Sequence, residues 1–208
     1  MEVCLMATKS ALNDMEYNAA YAMLTCHANT TRLHIESDKS CIERAIKLGH
    51  ESILEHINLT FEINGLSRAC LQELARHRHI SLSVESTRHT LKKQLFANGE
   101  ISLSLSDHMD EGLKLLITNY LKAVIGYVEQ HPDVPNDTLK YAMPECLSTN
   151  LIMTLNVREL RHIVKLRSAP AALGEFRYLA CQLVKAIPED YRYWVEDCLY
   201  NGGESSGS

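Results

Sequence analysis

The sequence predicts an α+β fold, on three observations. Strand and helix signals do not alternate regularly along the chain, which argues against a doubly wound parallel sheet. The clearest strand, "HINLTFEIN", sets Ile57, Leu59, Phe61 and Ile63 against Asn58, Thr60, Glu62 and Asn64, the two-residue period of a half-buried strand. A second stretch rich in β-formers, "CLSTNLIMTLN" at 146–156, alternates only weakly and comes after long helical signals. A chain of 208 residues fits one domain with one core. That domain is expected over 1–200, with 201–208 a flexible tail or expression scar.

The elements follow in order. A helix is expected near Ser40, because Ser40-Cys41-Ile42-Glu43 has capping-box spacing and Ile42, Ala45, Ile46 and Gly49 share a face. The alternating strand comes next, and Asn64-Gly65 is expected to break it. Ser67 can cap a helix whose stripe is Cys70, Leu71, Leu74 and Ala75, running into a basic segment at 76–88. Asp107 opens a long amphipathic stretch to about Gln130, which His131-Pro132 ends. Beyond the second strand, helices are expected over Arg158–Arg167 and Pro170–Ile187, with Pro170 at the permitted first position. Pro188 stops the latter, and "EDYRYWVEDCLY" forms a last short helix.

Net charge is -5 and hydrophobic content 46%, an ordinary globular composition. A protein built around duplex nucleic acid is more often basic as a whole, so local cationic clusters point to a few captured phosphates. Phe 3 and Trp 1 leave few aromatics on which single strands could stack. No run of about 18 apolar residues signals a membrane span, and "MEVCLMATKSALND" lacks the pattern of a signal peptide. Cysteines 4, 26, 41, 70, 146, 181 and 198 are scattered, with no CxxC pair. They read as reduced, buried thiols of a cytoplasmic protein.

Two basic constellations carry the chemistry. "RHRHISLSVESTR" begins with Arg76, His77, Arg78 and His79, continues through Ser81, Ser83 and Ser86, and closes on Arg88. If the preceding helix continued, Arg76 would share a face with Gln72 and Glu73, while Arg78 would fall nearer the apolar side. The two guanidinium groups would then leave in different directions. Arginine forks interleaved with hydroxyls suit phosphate. A cationic helix end favoured by the dipole explains one or two such residues but fits the whole run less well. His77 and His79 lie beside cations that would repel a metal dication, and no metal site is expected.

The second constellation is "NVRELRHIVKLR" at 156–167. Leu160, Ile163 and Val164 form its apolar face, which Arg167 continues. Arg158, Arg161, His162 and Lys165 gather opposite, as a solvated basic face or a binding one. An arginine on the buried side needs a carboxylate, a carbonyl or a ligand. Neither GxGxxG, GxxxxGK[ST] nor GxSxG occurs, so no Rossmann site, P-loop or common serine-hydrolase elbow is signalled.

Arg76-His77-Arg78 followed after seven residues by Ser86, with Arg88 two further on, resembles the signature of the flavin-dependent thymidylate synthases. "GHESILEHINLTFEI" (49–63), "SRACLQELARHR" (67–78) and "TLNVRELRHIVKLR" (154–167) resemble further family segments in the right order. The resemblance implies an antiparallel sheet flanked by helices in a single domain. It implies a FAD-dependent methyltransferase that makes dTMP from dUMP, with methylenetetrahydrofolate as carbon donor and NADPH as reductant. It further implies a cytoplasmic homotetramer with shared active sites, in which Lys140 and Arg158 would otherwise form a cluster without a ligand.

Carried over by residue, the resemblance implies that Gln72, Glu73, Arg76, Glu85, Ser86, Arg88 and Arg167 bind dUMP, with Lys140 supplied by a neighbouring subunit. Ser52, Glu55, Arg76, His77, Arg78, His79, Asn156, Arg158, His162 and Leu166 would bind FAD. Arg167, Ser86 and His50 would be catalytic, Arg167 against the pyrimidine, Ser86 as an orienting hydroxyl and His50 near the isoalloxazine. The sequence departs from the family at Val84 and Glu85 inside the motif, and at His89, His162 and Ala171, where FAD affinity could change. A non-catalytic nucleotide-binding module, or a FAD-binding member that has lost methylene transfer, are the rival readings. Flavin colour separates the first from the family.

Overall fold

The computed structural model describes residues 1–26, 37–96, 103 and 109–200. Its strands are β1 (Glu2–Leu5), β2 (Asn58–Ser67), β3 (Ile80–Val84) and β4 (Ser148–Asn156), in the sheet order β1-β2-β4-β3. The expected α+β class with an antiparallel sheet holds. The Met6 N–H donates to the Thr60 carbonyl at 2.8 Å. Thr60 and Thr154 share a hydroxyl hydrogen bond at 2.9 Å, and the Gly65 N–H reaches Asn150 Oδ1 at 3.0 Å. These offsets run in opposite directions along β2 and β4, the antiparallel register.

The alternation in β2 is as expected through Ile63, with Leu59, Phe61 and Ile63 fully buried. Gly65 does not end the strand. Its φ of 78°, open to glycine without steric cost, shifts the phase, so that Leu66 and Ser67 are buried in succession. In β4, burial of Leu151, Met153 and Leu155 gives a cleaner alternation than the sequence suggested.

The chain folds into two compact units. The first takes Met1–Glu2, Ile63–Arg76 and the described parts of Ser83–Leu151. It contains α3 (Arg68–Leu74), α4 (Thr87–Phe96), α5 (Glu111–Gln130) and α6 (Asn136–Leu139). Ser67 caps α3 as expected, accepting from the Cys70 N–H at 3.0 Å. Helix α4 buries Thr87, Leu91 and Leu95 at four-residue spacing, one stripe of a helix. Leu91 and Leu95 pack with Val124 and Val128 of α5, Leu139 and Leu147 into the core of this unit. Asp110 caps α5 by accepting from the Leu113 N–H at 2.9 Å, and His131 closes it. The start expected at Asp107 lies outside the described residues, as do 201–208.

The second unit takes the described parts of Val3–Glu62, His77–Leu82 and the chain from Ile152 onward. It contains α1 (Lys9–Cys26), α2 (Asp38–Lys47), a 3₁₀ turn at Glu51–His56, α7 (Val157–Arg167), α8 (Gly174–Ala186) and 3₁₀ turns at Glu189–Trp194 and Glu196–Cys198. Helix α2 begins before Ser40. Ser37 is its cap, accepting from the Ser40 N–H, while the Ser40 hydroxyl donates back to the Ser37 carbonyl. Two serines three apart both fit the spacing, and Asp38 in the first turn favours the earlier start. Helix α8 begins at Gly174, so Pro170 lies in the preceding turn. Phe176, Leu179, Leu183 and Trp194 are buried here. Of the cysteines, 41, 70 and 146 are buried, 181 and 198 half-buried, and 4 and 26 exposed, so the expected burial holds for only part of the set.

Candidate active site

Helix α3 ends at Leu74 with Ala75 as its cap, so residues 76–79 form a turn into β3 rather than further helix. That corrects the expected directions of the two arginines. Arg76 is exposed, and its Nη1 lies 3.7 Å from Glu73 Oε1. Arg78 and His79 are also exposed, and the buried member of the run is His77.

His77 lies at the centre of a cluster within the second unit. Arg167 Nε donates to His77 Nε2 at 3.2 Å, and His77 Nδ1 faces Glu159 Oε1 at 3.5 Å. The ring makes edge contacts with His162 and Phe176, at centroid distances of 5.8 and 6.0 Å. The guanidinium carbon of Arg167 stands 4.8 Å over the Phe176 ring, a cation–π contact. Burial and the Arg167 cation depress the His77 pKa, against the opposing pull of Glu159. The imidazole is therefore neutral at pH 7. A neutral ring accepting at Nε2 carries its proton on Nδ1, toward the carboxylate.

The rest of α7 divides differently from the single basic face that the sequence suggested. Asn156 caps the helix, its Oδ1 accepting from the Glu159 N–H at 2.8 Å. Arg158 is half exposed and paired with Glu55, so it does not lack a partner. Arg161, expected among the exposed basic residues, is buried. It donates to both carboxylate oxygens of Asp197, to Glu51 Oε1 at 3.0 Å and to the Trp194 carbonyl at 2.8 Å. Burial opposes its charge, but the Asp197 and Glu51 bonds more than offset this and its pKa is raised. These partners come from distant segments, so helix periodicity could not reveal them. Arg167 is half-buried, and Leu166 and His162 are exposed, as are Ser52, His50 and Ala171.

In the first unit, Ser86 immediately precedes α4, its carbonyl accepting from the His89 and Thr90 N–H groups at 3.0 and 3.1 Å. Arg88, in the first turn, grips Asp137 with Nε to Oδ1 at 2.9 Å and Nη2 to Oδ2 at 3.1 Å. These two residues line an open pocket of about 490 Å³ with Thr138, Lys140 and Tyr141. Glu85 accepts from the Gln94 and Asn150 side-chain amides at 2.8 and 3.0 Å. Both oxygens of this dUMP candidate are thus held within the chain. Gln72 is likewise bonded to Glu145 at 2.8 Å. Val84 and His89 are exposed.

The expected dUMP set thus falls in the first unit except for Arg167. The expected FAD set falls in the second except for Arg76. Sequence reasoning missed Glu159, Phe176 and Asp137. Asn156-x-x-Glu159 has cap spacing that could have flagged the first; the other two become visible only through tertiary contacts.

Each unit carries exposed arginines and hydroxyls, donors of the kind that bind phosphate, and one arginine is fixed on an aromatic face. Residues 8–190 match the family model described as thymidylate synthase complementing protein. The flavin-dependent thymidylate synthase of Campylobacter jejuni (strain RM1221) is 40% identical over 174 residues, 79% of this chain and 83% of that one. That of Helicobacter pylori (strain J99) is 35% identical over 200 residues, 87% and 93% of the two chains. The crystal structure of Thymidylate Synthase X from Helicobacter pylori with FAD and dUMP superposes with a TM-score of 0.83. It is 34% identical, and the match covers 96% of this chain and 99% of that one. The chain belongs to the flavin-dependent thymidylate synthase family.

Proposed function

We propose that the chain converts dUMP to dTMP, with methylenetetrahydrofolate as carbon donor and NADPH as reductant through FAD. One observation carries this reading: the Arg76-His77-Arg78…Ser86 motif is intact in a chain that aligns almost end to end with a relative bound to FAD and dUMP.

The donor set fits both ligands. Ser86 and Arg88 open α4, where exposed N–H groups and the helix dipole favour a phosphate. Arg76 and Lys140, the latter toward a neighbouring subunit's site, add positive charge. Ser52, Arg78, His79, Arg158 and His162 offer donors to the FAD phosphates and ring, and exposed Leu166 offers an apolar surface. His50, at the start of the Glu51–His56 turn, is assigned beside the isoalloxazine. Bound flavin supplies hydride transfer, which no side chain can perform. Arg167 holds the pyrimidine and stabilises negative charge that develops on it. Ser86 orients dUMP, and Glu55 keeps Arg158 in place. Asn156 contributes through its cap of α7, while Gln72, Glu73 and Glu85 shape the dUMP side.

A homotetramer is supported by Leu113, Leu116 and Tyr120, which expose apolar surface on one face of α5. Light scattering should give about four times 23.5 kDa. Seven scattered cysteines with no CxxC pair favour a reducing, cytoplasmic setting. Among the described residues no helix is long and apolar enough to cross a membrane. The deciding assay is tritium release from carbon-five-labelled dUMP with FAD, NADPH and methylenetetrahydrofolate. A yellow protein that releases no tritium would overturn the catalytic reading.

A further inference from the structure

We propose that His77, held by Glu159, is a positioning residue that sets the Arg167 fork against Phe176 before substrate binds, and that its side chain is not a flavin ligand. The inference rests on the reading above in one respect: Arg167 is taken as the group that meets the pyrimidine.

The geometry separates His77 from its neighbours in the motif. Arg76, Arg78 and His79 are exposed, whereas the His77 side chain is 5% exposed and that of Glu159 is 11% exposed. Both ring nitrogens already face protein groups, Nε2 accepting from Arg167 and Nδ1 facing Glu159. The ring edges pack against Phe176 and His162. A side chain so enclosed has no nitrogen to offer a cofactor without breaking a contact of its own.

Arg167, by contrast, is located on two sides. The lone pair of His77 fixes the Nε edge, and the Phe176 ring fixes the face of the guanidinium plane. A planar fork constrained at one edge and one face has its remaining donors aimed in a set direction, so little rotamer freedom is lost on binding. Only one tautomer permits this. Were the proton on Nε2, His77 would present a donor to a donor and the Arg167 contact would turn repulsive. A carboxylate opposite Nδ1 favours the productive tautomer, which is the part Glu159 plays. At 3.5 Å this contact is long for a hydrogen bond, so the field of the carboxylate matters more than a formed bond.

The test uses the FAD-loaded protein and three variants. His77→Phe keeps a flat ring and its packing but removes the acceptor. His77→Gln places an amide oxygen where Nε2 stood, and Glu159→Gln removes the charge. Flavin content is read by absorbance and dUMP binding by calorimetry. Single-turnover flavin oxidation is followed with dUMP and methylenetetrahydrofolate, and nitrogen-15 NMR reports the His77 tautomer and the Arg167 Nε–H.

His77→Phe should keep its flavin yet slow dUMP-dependent oxidation roughly ten- to a hundredfold, the scale of one lost bond to a charged group. His77→Gln should recover most of that rate. The parent should show the Nδ1–H tautomer, and Glu159→Gln should shift the population toward Nε2–H. Two results would overturn the proposal. One is a His77→Phe protein that sheds flavin while its loaded fraction reacts at the parent rate. The other is a parent whose His77 is protonated on Nε2. If the parent neither binds dUMP nor reacts with it, the functional reading fails instead. The NMR arm then still decides whether His77 orients Arg167: an Arg167 Nε–H signal unmoved in His77→Phe would sink it.

Discussion

Arg161 and Arg88 each grip an aspartate with two prongs, yet they do opposite things. Arg161 is 7% exposed and engages Asp197, Glu51 and the Trp194 carbonyl together. Arg88 is 67% exposed, and its partner Asp137 is 56% exposed. Buried, the pair is a fixed part of the second unit, because withdrawing either charge strands the other away from water. Exposed, it is screened by salt and contributes little to stability. In the proposed dUMP site, a phosphate would compete with this carboxylate for the same fork. The same pairing is buried and fixed in one unit and open to solvent in the other.

The sharpest way to break this contrast is to remove both cations. Arg161→Leu should destabilise the fold by about 3–5 kcal/mol, read from the urea midpoint at an unchanged slope. Arg88→Leu should shift that midpoint by less than about 1 kcal/mol. Equal shifts would end the distinction.

Arg167 stands between the two extremes, half-buried between His77 and Phe176, and it is the residue proposed to meet the pyrimidine. Arg167→Lys should lower turnover by roughly 10²-fold or more, because an ammonium cannot reproduce a fork stacked on Phe176. Flavin absorbance and assembly size should be nearly unaffected. A lysine variant that oxidises reduced flavin at the parent rate would reduce Arg167 to a helix-end cation.

On the exposed side, Ser86→Ala should weaken dUMP use by about ten- to a hundredfold, with flavin content maintained. That is the value of one bond to a charged phosphate. Total loss of activity with flavin retained would point instead to a nucleophilic serine.

A pH titration probes the buried side more gently. His77 has a native pKa below its unfolded value of about 6.5, so between the two the unfolded chain binds more protons. The contribution of His77 is complete above about 6.5 and is lost as pH falls through that value toward the native pKa. Melting temperature should therefore drop between pH 7.5 and 5.5 by more in the parent than in His77→Gln. The smallest effect belongs to Asp137→Asn. Stability should change by less than about 0.5 kcal/mol, while inorganic phosphate should protect the Arg88 site more strongly once its resident competitor has lost its charge.

The contrast also explains what the sequence could disclose. The basic motifs that hold Arg76, Ser86, Arg88 and Arg167 are visible in the sequence because their spacing is local and family-like. The β2 alternation and the Ser67 cap are local too. Arg161 was not legible, since Glu51 lies 110 residues away and Asp197 36; helix periodicity alone grouped it with exposed residues. "ISLSV" at 80–84 alternates as a strand should, but its serines also read as phosphate chemistry. Helix α4 was missed beside it for a related reason, as its three-residue buried stripe is diluted by polar neighbours. Phe176, which holds the face of Arg167, carries no signal at all until α8 packs.

The pairing of β2 with β4 has a consequence for how the chain is made. Thr60 and Thr154 are 94 residues apart, and Gly65 and Asn150 are 85 apart. Contacts of such separation close a large loop before any compensating burial, which slows folding relative to local helical contacts. On the ribosome, β1 and β2 emerge long before the strand that must lie beside β2. Until about residue 156 has cleared the exit tunnel, that edge of β2 remains an unpaired template of backbone groups. Nascent chains of intermediate length are therefore the species most exposed to mispairing, and chaperone capture should concentrate there.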